Sequence, residues 1–316
     1  MGKILVTGAS GFIGRHLCDV LQAHDFSFKP IVRTPSTIIQ NPESIAIGDI
    51  SASTDWHDAL VGIETIIHLA ARVHVMKDTI ADPLAAFRAV NVDATLNLAK
   101  QAVQAGVKRF IFVSTIKVNG EETLQQPFTS FDRLNPLDFY GQSKHEAEIA
   151  LQALAQKSGL ELVIIRSPLV YGPRVRANFY KLMQITKMGL PLPFRGVDNR
   201  RSMVAIENLV DLLITCISHP AAVNQIFLVS DDDDLSLSRL IELIAKAMNQ
   251  RIWLLPAPIK LIQMIAALTG KSAAINRLFG SLQVDISDTK QTLNWKPLIS
   301  VEQGIQKTVQ HFLTYP

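Results

Sequence analysis

The sequence is short of cysteine, of charge and of unbroken apolar runs, and each shortage excludes something. Only Cys18 and Cys216 occur in 316 residues, far apart in the chain. Two such thiols rule out a disulfide framework and leave no Cys-x-x-Cys pair for a metal. Charged residues make up 19% of the chain and net to +3, with acids and bases interspersed. No basic stripe marks a nucleic-acid partner, although a small anionic ligand would be tolerated. The most apolar stretch, Ile252–Leu268, is interrupted by Pro256, Pro258 and Lys260. It falls short of an integral membrane segment and reads as a helix, starting after Pro258, that packs against a lobe. Contact with a membrane surface is the other reading. The opening Met1-Gly2-Lys3-Ile4-Leu5-Val6 enters a strand directly, without the ordered regions of a secretion signal, so a cytoplasmic location is expected.

What is present is the composition of a globular protein. Hydrophobic residues make up 48% of the chain, enough for one large core with a smaller lobe, or for two domains. In the first half, strand and helix patterns alternate. Strands are expected at Ile4–Thr7, Ile31–Arg33, Thr65–Ala70, Arg109–Ser114 and Glu161–Arg166. Helices are expected at Ile13–Ala23, Pro83–Ala105 and Tyr140–Gly159. Such alternation predicts an α/β fold, a Rossmann-type doubly wound parallel sheet covered by helices. The apolar runs Ile-Leu-Val, Thr-Ile-Ile-His-Leu and Phe-Ile-Phe-Val lack period-two alternation, as strands buried on both faces do.

Beyond Arg166 the prolines at 168, 173, 191 and 193 break the pattern into short pieces. Residues 1–167 therefore read as the dinucleotide-binding domain and 168–316 mainly as a substrate-binding lobe. Two segments near Ser202–Ile206 and Gln225–Ser230 look like strands that return to the main sheet. The run Asp231–Asp234 reads as a solvated loop feeding a helix over Leu237–Met248, not as a metal site.

Between the first strand and first helix lies Val6-Thr7-Gly8-Ala9-Ser10-Gly11-Phe12-Ile13-Gly14. Gly8 permits a tight turn, Gly11 admits a pyrophosphate close to backbone, and Gly14 lets helix and strand pack closely. Free N–H groups at the helix start would face the phosphates, with Ser10, Phe12 and Ile13 completing the loop. A carboxylate at the end of the second strand would hold the 2′-hydroxyl of NAD, but this strand ends Ile31-Val32-Arg33-Thr34. The cation favours NADP(H), with NAD(H) left open if Arg33 only stacks beside the adenine.

Tyr140-Gly-Gln-Ser-Lys144 places a phenol and an ammonium on one helix face. A free phenol has a pKa of roughly 10, too high for easy proton exchange at neutral pH. One cation about 4 Å away is worth roughly 4 kcal/mol at an effective dielectric of about 20, or about a thousandfold in acidity. Upstream, the strand Phe110-Ile-Phe-Val-Ser114-Thr115 ends in hydroxyls, at the sheet edge where ligands bind. Thr115 and its neighbour Ser114 are the candidates to hydrogen-bond a substrate oxygen. A chance surface pair is the bland reading of Tyr140 and Lys144.

Together these features resemble the extended short-chain dehydrogenase/reductase family. The resemblance rests on Thr7-Gly-Ala-Ser-Gly-Phe-Ile-Gly14, Gly48-Asp49-Ile50, His68-Leu-Ala-Ala71, Asn91-Val-Asp-Ala-Thr95, Ser114-Thr115, Tyr140…Lys144 and Val170-Tyr-Gly-Pro173, in the family's order. It implies that Tyr140 is the acid/base and that Lys144 also holds the nicotinamide ribose. Thr115 then matches the catalytic hydroxyl, and Asn91 an asparagine near the nicotinamide end. Asp49 and Ile50 match the pair flanking the adenine, while Leu69, Ala70 and Ala71 line the dinucleotide. Within the family the chain is most similar to bacterial nucleotide-sugar enzymes. Arg201, in Arg200-Arg201-Ser-Met-Val-Ala-Ile-Glu-Asn-Leu-Val-Asp211, takes the place of an arginine that grips a diphosphate, with Arg277 a weaker candidate. Asn178, Arg72 and His74 complete the implied substrate contacts. A surface ion pair is the bland reading of Arg201.

The stretches Val113–Glu121, Ala71–Met76 and Asn199–Met203 resemble reductases of UDP-4-keto-6-deoxy-N-acetylglucosamine, which make UDP-N-acetylquinovosamine or its 4-epimer for O-antigen and related surface polysaccharides. Ile116-Lys117 stands where the family's dehydratases carry Asp-Glu, and an apolar residue cannot move a proton. Epimerases often carry an asparagine where Leu169 stands here. The expectation is therefore NAD(P)H-dependent reduction of the sugar C4 ketone, with 4-epimerisation of a UDP-hexose or UDP-N-acetylhexosamine as the alternative. A non-catalytic dinucleotide sensor and a dehydrogenase of steroid-like or flavonoid-like substrates are the remaining readings. The resemblance also implies a homodimer, paired through Pro83–Ala105 and Tyr140–Gly159.

Overall fold

The computed structural model describes residues 2–35, 39, 41–73, 81–256, 264, 268 and 279–315. His74, Arg277 and most of Ile252–Leu268 lie outside the described residues. The strands are β1 (Lys3–Thr7), β2 (Phe28–Val32), β3 (Ile45–Ala46), β4 (Ile63–His68), β5 (Arg109–Thr115), β6 (Glu161–Ser167), β7 (Leu169–Tyr171), β8 (Leu192–Arg195), β9 (Met203–Ala205), β10 (Gln225–Leu228) and β11 (Leu254–Pro256). Seven of them form one sheet in the order β3-β2-β1-β4-β5-β6-β10, with every pairing parallel. The order reverses between β1 and β4, which opens a crevice beyond the carboxyl ends of those strands.

The helices are α1 (Phe12–Ala23), α2 (His57–Leu60), α3 (Pro83–Arg88), α4 (Thr95–Gln104), α5 (Phe139–Ser158), α6 (Ala177–Lys187), α7 (Ile206–Ser218), α8 (Leu237–Ala247), α9 (Ser287–Leu293) and α10 (Val301–Thr314). Two cores lie on opposite faces of the sheet. Ile4, Val6, Ile111 and Val113 point to the face covered by α1 and α7. Leu5, Phe110, Phe112 and Ile164 point to the face covered by α4 and α5. Because both faces are apolar, these strands show no alternation in sequence. Phe110 and Phe112 are fully buried, and truncating either to alanine would cost about 3–5 kcal/mol.

Three segments differ from the sequence expectation. The single helix expected over Pro83–Ala105 is α3 and α4 joined by a π-helical turn, Ala89–Ala94. The wider turn carries Asn91, which is buried. Of the two returning segments, only β10 joins the main sheet, beside β6; β9 pairs with β7 in a separate two-stranded sheet. Pro168 interrupts the chain between β6 and β7, so the partner of β9 has already left the main sheet.

The aspartate run is also not a uniformly solvated loop. Asp231 is buried and accepts hydrogen bonds from the Tyr171 hydroxyl (2.7 Å), the Ala205 amide (2.8 Å) and the Asn208 amide group (2.7 Å). Asp234 accepts from Ser202 and Gln283, and Asp232 pairs with Lys290. These carboxylates bond in different directions, and no metal-ligand cluster occurs among the described residues. No described helix is long and apolar enough to cross a membrane.

Candidate active site

The crevice begins at the glycine loop. Gly8 has a left-handed φ of 67°, and a Cβ there would lie 2.8 Å from the Ala70 amide nitrogen. A Cβ on Gly14 would lie 2.2 Å from the Gly8 carbonyl oxygen. Both glycines are therefore steric necessities, one for the contact between loops and one for packing helix on strand. Gly11 is the N-cap of α1, and no side chain caps that end. The helix start thus presents backbone N–H groups at the crevice, as a diphosphate requires.

The neighbouring strand end is tied to this loop by a polar chain. The Thr7 hydroxyl lies 2.8 Å from His68 Nδ1 and accepts from the amides of Leu69 and Ala70. His68 Nε2 lies 2.9 Å from the Thr95 hydroxyl. Burial first, and the Lys144 charge second, push the His68 pKa down to about 3, so the ring is neutral and serves as a brace. Sequence inspection placed His68 in a motif without giving it this role; only its two threonine partners reveal it.

Just beyond the end of β2, Arg33 and Asp49 bond to each other at 2.9 Å, and both are exposed. The cation read as a holder for a 2′-phosphate is thus already engaged by an acid, which weakens the basis for NADP(H). Ile50 is half-buried nearby in sequence and packs against the apolar core.

Asn91 donates to the Arg72 carbonyl (3.0 Å) and to Ser143 Oγ (2.9 Å), and accepts from the Arg72 amide (2.8 Å). Its amide clamps the loop after β4 to α5, so its geometry is that of a positioning residue. Ser143 in turn donates to the Tyr140 carbonyl at 2.8 Å. The Arg72 guanidinium lies over the Phe87 ring at 5.5 Å, and Phe87 packs beside Tyr140.

Asp138 caps α5, accepting from the Gly141 amide at 2.7 Å, and so fixes where Tyr140 and Lys144 project. Lys144 is buried, with its ammonium 3.9 Å from the Phe112 ring centroid. Burial pushes its pKa down to about 7, against the opposing pull of Glu148. Burial also raises the Tyr140 phenol well above its ordinary range, with the Asp138 carboxylate adding to the effect. For Tyr140 this is opposite in sign to the expectation from a neighbouring cation alone. Both groups lose solvation on burial, and a lysine near pKa 7 is only partly charged at neutral pH.

The two adjacent hydroxyls part company. Ser114 donates to the buried Glu148 carboxylate, which also holds Arg166 at 2.7 Å. Ser114 is therefore a member of a structural network, not a free catalytic hydroxyl as expected. Thr115 ends β5 and, among the described residues, accepts a long bond, 3.4 Å, from the Lys117 amide. Lys117 itself pairs with Asp138 and approaches Glu121 at 3.4 Å. These acids near the site came from no motif and could be found only in three dimensions.

In the lobe, Arg201 is half-buried and donates to the Gly280 carbonyl at 3.0 Å. Burial lowers its pKa and Glu121 opposes the effect. Asn178 is exposed in the first turn of α6.

A parallel sheet of reversed order, a glycine turn at the reversal and a buried Tyr-Lys helix beside it define a dinucleotide-dependent short-chain dehydrogenase/reductase of the extended type. The chain belongs to the NAD dependent epimerase/dehydratase family, whose model matches residues 4–230. It is 48% identical to the UDP-glucose 4-epimerase of Vibrio cholerae, covering 98% of this chain and 95% of that one. It is 28% identical to the N-acetyl-alpha-D-glucosaminyl-diphospho-ditrans,octacis-undecaprenol 4-epimerase of Escherichia coli O157:H7, over 98% and 95% of the two chains. The fold is shared with Bacillus cereus UDP-glucuronic acid 4-epimerase, solved with UDP-glucuronic acid and NAD: TM-score 0.79, 20% identity, 99% of this chain and 100% of that one.

Proposed function

We propose that this enzyme is a UDP-sugar 4-epimerase that uses NAD. The observation that carries the reading is the 48% identity to a UDP-glucose 4-epimerase along almost the whole chain. It favours epimerisation over the reduction expected from short motif likenesses, and the Arg33–Asp49 pair favours NAD over NADP.

The residues present fit the dinucleotide: the two sterically required glycines and the uncapped start of α1 form a cradle for its diphosphate. In this reading the amides of Phe12 and Ile13 bind that diphosphate, with Ser10 beside them, while the Gly11 amide closes the turn on the Gly8 carbonyl at 2.9 Å. Leu69, Ala70 and Ala71 line its path, and Asp49 and Ile50 flank the adenine. When bound, NAD would supply reversible hydride acceptance at the sugar C4. Tyr140 takes the proton of the C4 hydroxyl and later gives it back, while Thr115 holds that oxygen by a hydrogen bond. Lys144 stabilises the phenolate while Tyr140 is ionised. Its pKa near 7 makes its charge responsive to its surroundings. Asn91 acts by holding the Arg72 loop against α5. Arg201 and Asn178 bind the nucleotide diphosphate, with Arg72 nearer the sugar; Arg277 and His74 keep the roles implied by resemblance. The sugar donated to surface polysaccharide and a homodimer formed through α3, α4 and α5 belong to the same proposal. Ile149 on α5 is 53% exposed, in line with such a pairing.

One observation favours reduction instead: Leu169, half exposed at the start of β7, stands where an epimerase asparagine is expected. The test supplies UDP-glucose, and separately UDP-N-acetylglucosamine, with catalytic NAD, and follows C4 inversion by NMR. Inversion without net NADH formation supports epimerisation. Absence of inversion, together with NADH or NADPH oxidation by a 4-keto-6-deoxy UDP-sugar, would restore the reductase.

A further inference from the structure

A second cavity, of about 540 Å3, lies between α1, the loop joining β7 to α6, α6 itself and α10. Its walls carry Arg15, Arg174, Arg176 and His311, with Tyr180 and Phe312 as aromatic faces. It shares no lining residue with the glycine loop, Thr115, Tyr140, Lys144 or Arg201. Asn178 and Tyr180 are two residues apart, hence about 200° around α6, and only Tyr180 lines this cavity.

The chemistry of the walls is cationic. Arg15 spends its Nε on the Ser10 carbonyl at 2.8 Å, and no described acid pairs with the rest of its fork. Arg176 forms no ion pair among the described residues, and it is exposed. Arg174 meets one acid, Asp19, at 3.4 Å, with both side chains largely exposed. Burial lowers the pKa of both His311 and nearby His16, so the arginines carry the charge, and Lys187 stands 5.4 Å from the Phe312 ring centroid. Tyr180 and Phe312 meet edge to face at 5.2 Å.

The backbone of the connecting loop is held in an unfavourable shape. Arg174 and Ala177 have left-handed φ values of 70° and 56°, three residues apart. Non-glycine residues rarely adopt this region, and they cluster where a loop is shaped for a ligand. The Arg174 amide donates to His311 Nδ1 at 3.4 Å, which ties the loop to α10.

We propose that this cavity binds a nucleotide, with its phosphates on Arg15, Arg174 and Arg176 and its base against Tyr180 and Phe312. Through Arg15 the bound phosphate touches the residue that holds Ser10, so occupancy reaches the glycine loop. The assignment does not depend on which sugar occupies the active site.

The test is isothermal titration of the full chain with ADP, in saturating NAD so that the adenosine part of the cofactor site is filled. Inorganic pyrophosphate is titrated in parallel. One equivalent of ADP is expected to bind. The Arg174→Asn/Arg176→Gln variant is expected to bind at least about tenfold more weakly, the loss of two phosphate contacts. Asparagine tolerates the left-handed conformation, so the loop keeps its shape. If that variant misfolds, Arg176→Glu alone, at an exposed position with extended φ of −121°, serves instead. The Arg201→Gln variant is expected to bind ADP as the wild type does. Equal ADP affinity in the cavity variants, or no binding to the wild type, overturns the proposal. Pyrophosphate binding as tightly as ADP overturns the assignment of a nucleotide.

Discussion

The Ser114 hydroxyl donates to the Glu148 carboxylate, one helical turn beyond Lys144 on α5. That carboxylate also holds Arg166, and both partners of the ion pair are 2% exposed. Arg166 reaches on to Asn119 at 3.2 Å, linking β6 to the segment after β5. The network lies directly behind Thr115 and Lys144, and it fixes the strand end on which the site is built. Glu148→Ala would leave a buried guanidinium without its partner, at a cost of about 3–5 kcal/mol. Chemical denaturation is the measurement. Ser114→Ala should lower stability by about 1 kcal/mol and spare most of the turnover, whereas Thr115→Val should abolish most of the turnover and spare stability. Equal loss of turnover in the two variants would refute this division of roles.

Tyr140→Phe removes the proton carrier without emptying the site. Turnover should fall roughly 10²–10⁴-fold, while NAD binding, read by fluorescence, stays within a few-fold of wild type. Near-normal turnover would remove Tyr140 from the mechanism.

Lys144 makes the cofactor-free protein sensitive to pH. Its folded pKa, about 7, lies below its ordinary value. Between about pH 7 and pH 10 the unfolded chain binds this proton and the folded chain does not, so this group's contribution to stability rises with pH. Below pH 7 the folded state must bury the ammonium, and the penalty is greatest. Lys144→Met should therefore raise the melting temperature most at pH 6.5, with the gain shrinking towards pH 10. A gain independent of pH would show that the lysine is not buried as charged at low pH.

Gly14→Ala places a methyl group against the Gly8 carbonyl, which is backbone and cannot swing aside. The strain should cost about 1–3 kcal/mol of stability and displace the start of α1. NAD affinity should fall at least about tenfold, measured by equilibrium dialysis.

The Arg33–Asp49 pair predicts a change of cofactor preference. Asp49→Asn frees the guanidinium for a 2′-phosphate, so the ratio of NADP to NAD affinity should rise by a few-fold, as befits an exposed pair. An unchanged ratio would show that Arg33 does not face the ribose.

Six of the seven main-sheet strands, the glycine turn and the Tyr140–Lys144 spacing were legible in the sequence, because each is a local pattern; the two-residue β3 is too short to leave one. Apolar runs record burial on two faces, glycines record a turn, and a four-residue interval records one face of a helix. Phe28-Lys29-Pro30 lies outside the strand expected at Ile31–Arg33 yet belongs to β2; in the fold the Lys29 ammonium donates to the carbonyls of Asp58 and Ala59. Sequence proximity misled at Ser114 and Thr115, which are adjacent in the chain yet bond in different directions.

What the chain alone determined was the order and periodicity of its elements, for these depend on neighbours a few residues apart. Tertiary structure decided the partners: Ser114 with Glu148, Arg33 with Asp49, Asp231 with Tyr171, His68 between two threonines. It also set the sign of the Tyr140 shift. The physical reason is common to all of these. Hydrogen-bond choice and charge stability depend on which groups meet after water has been excluded, and that is settled only when distant segments close on one another.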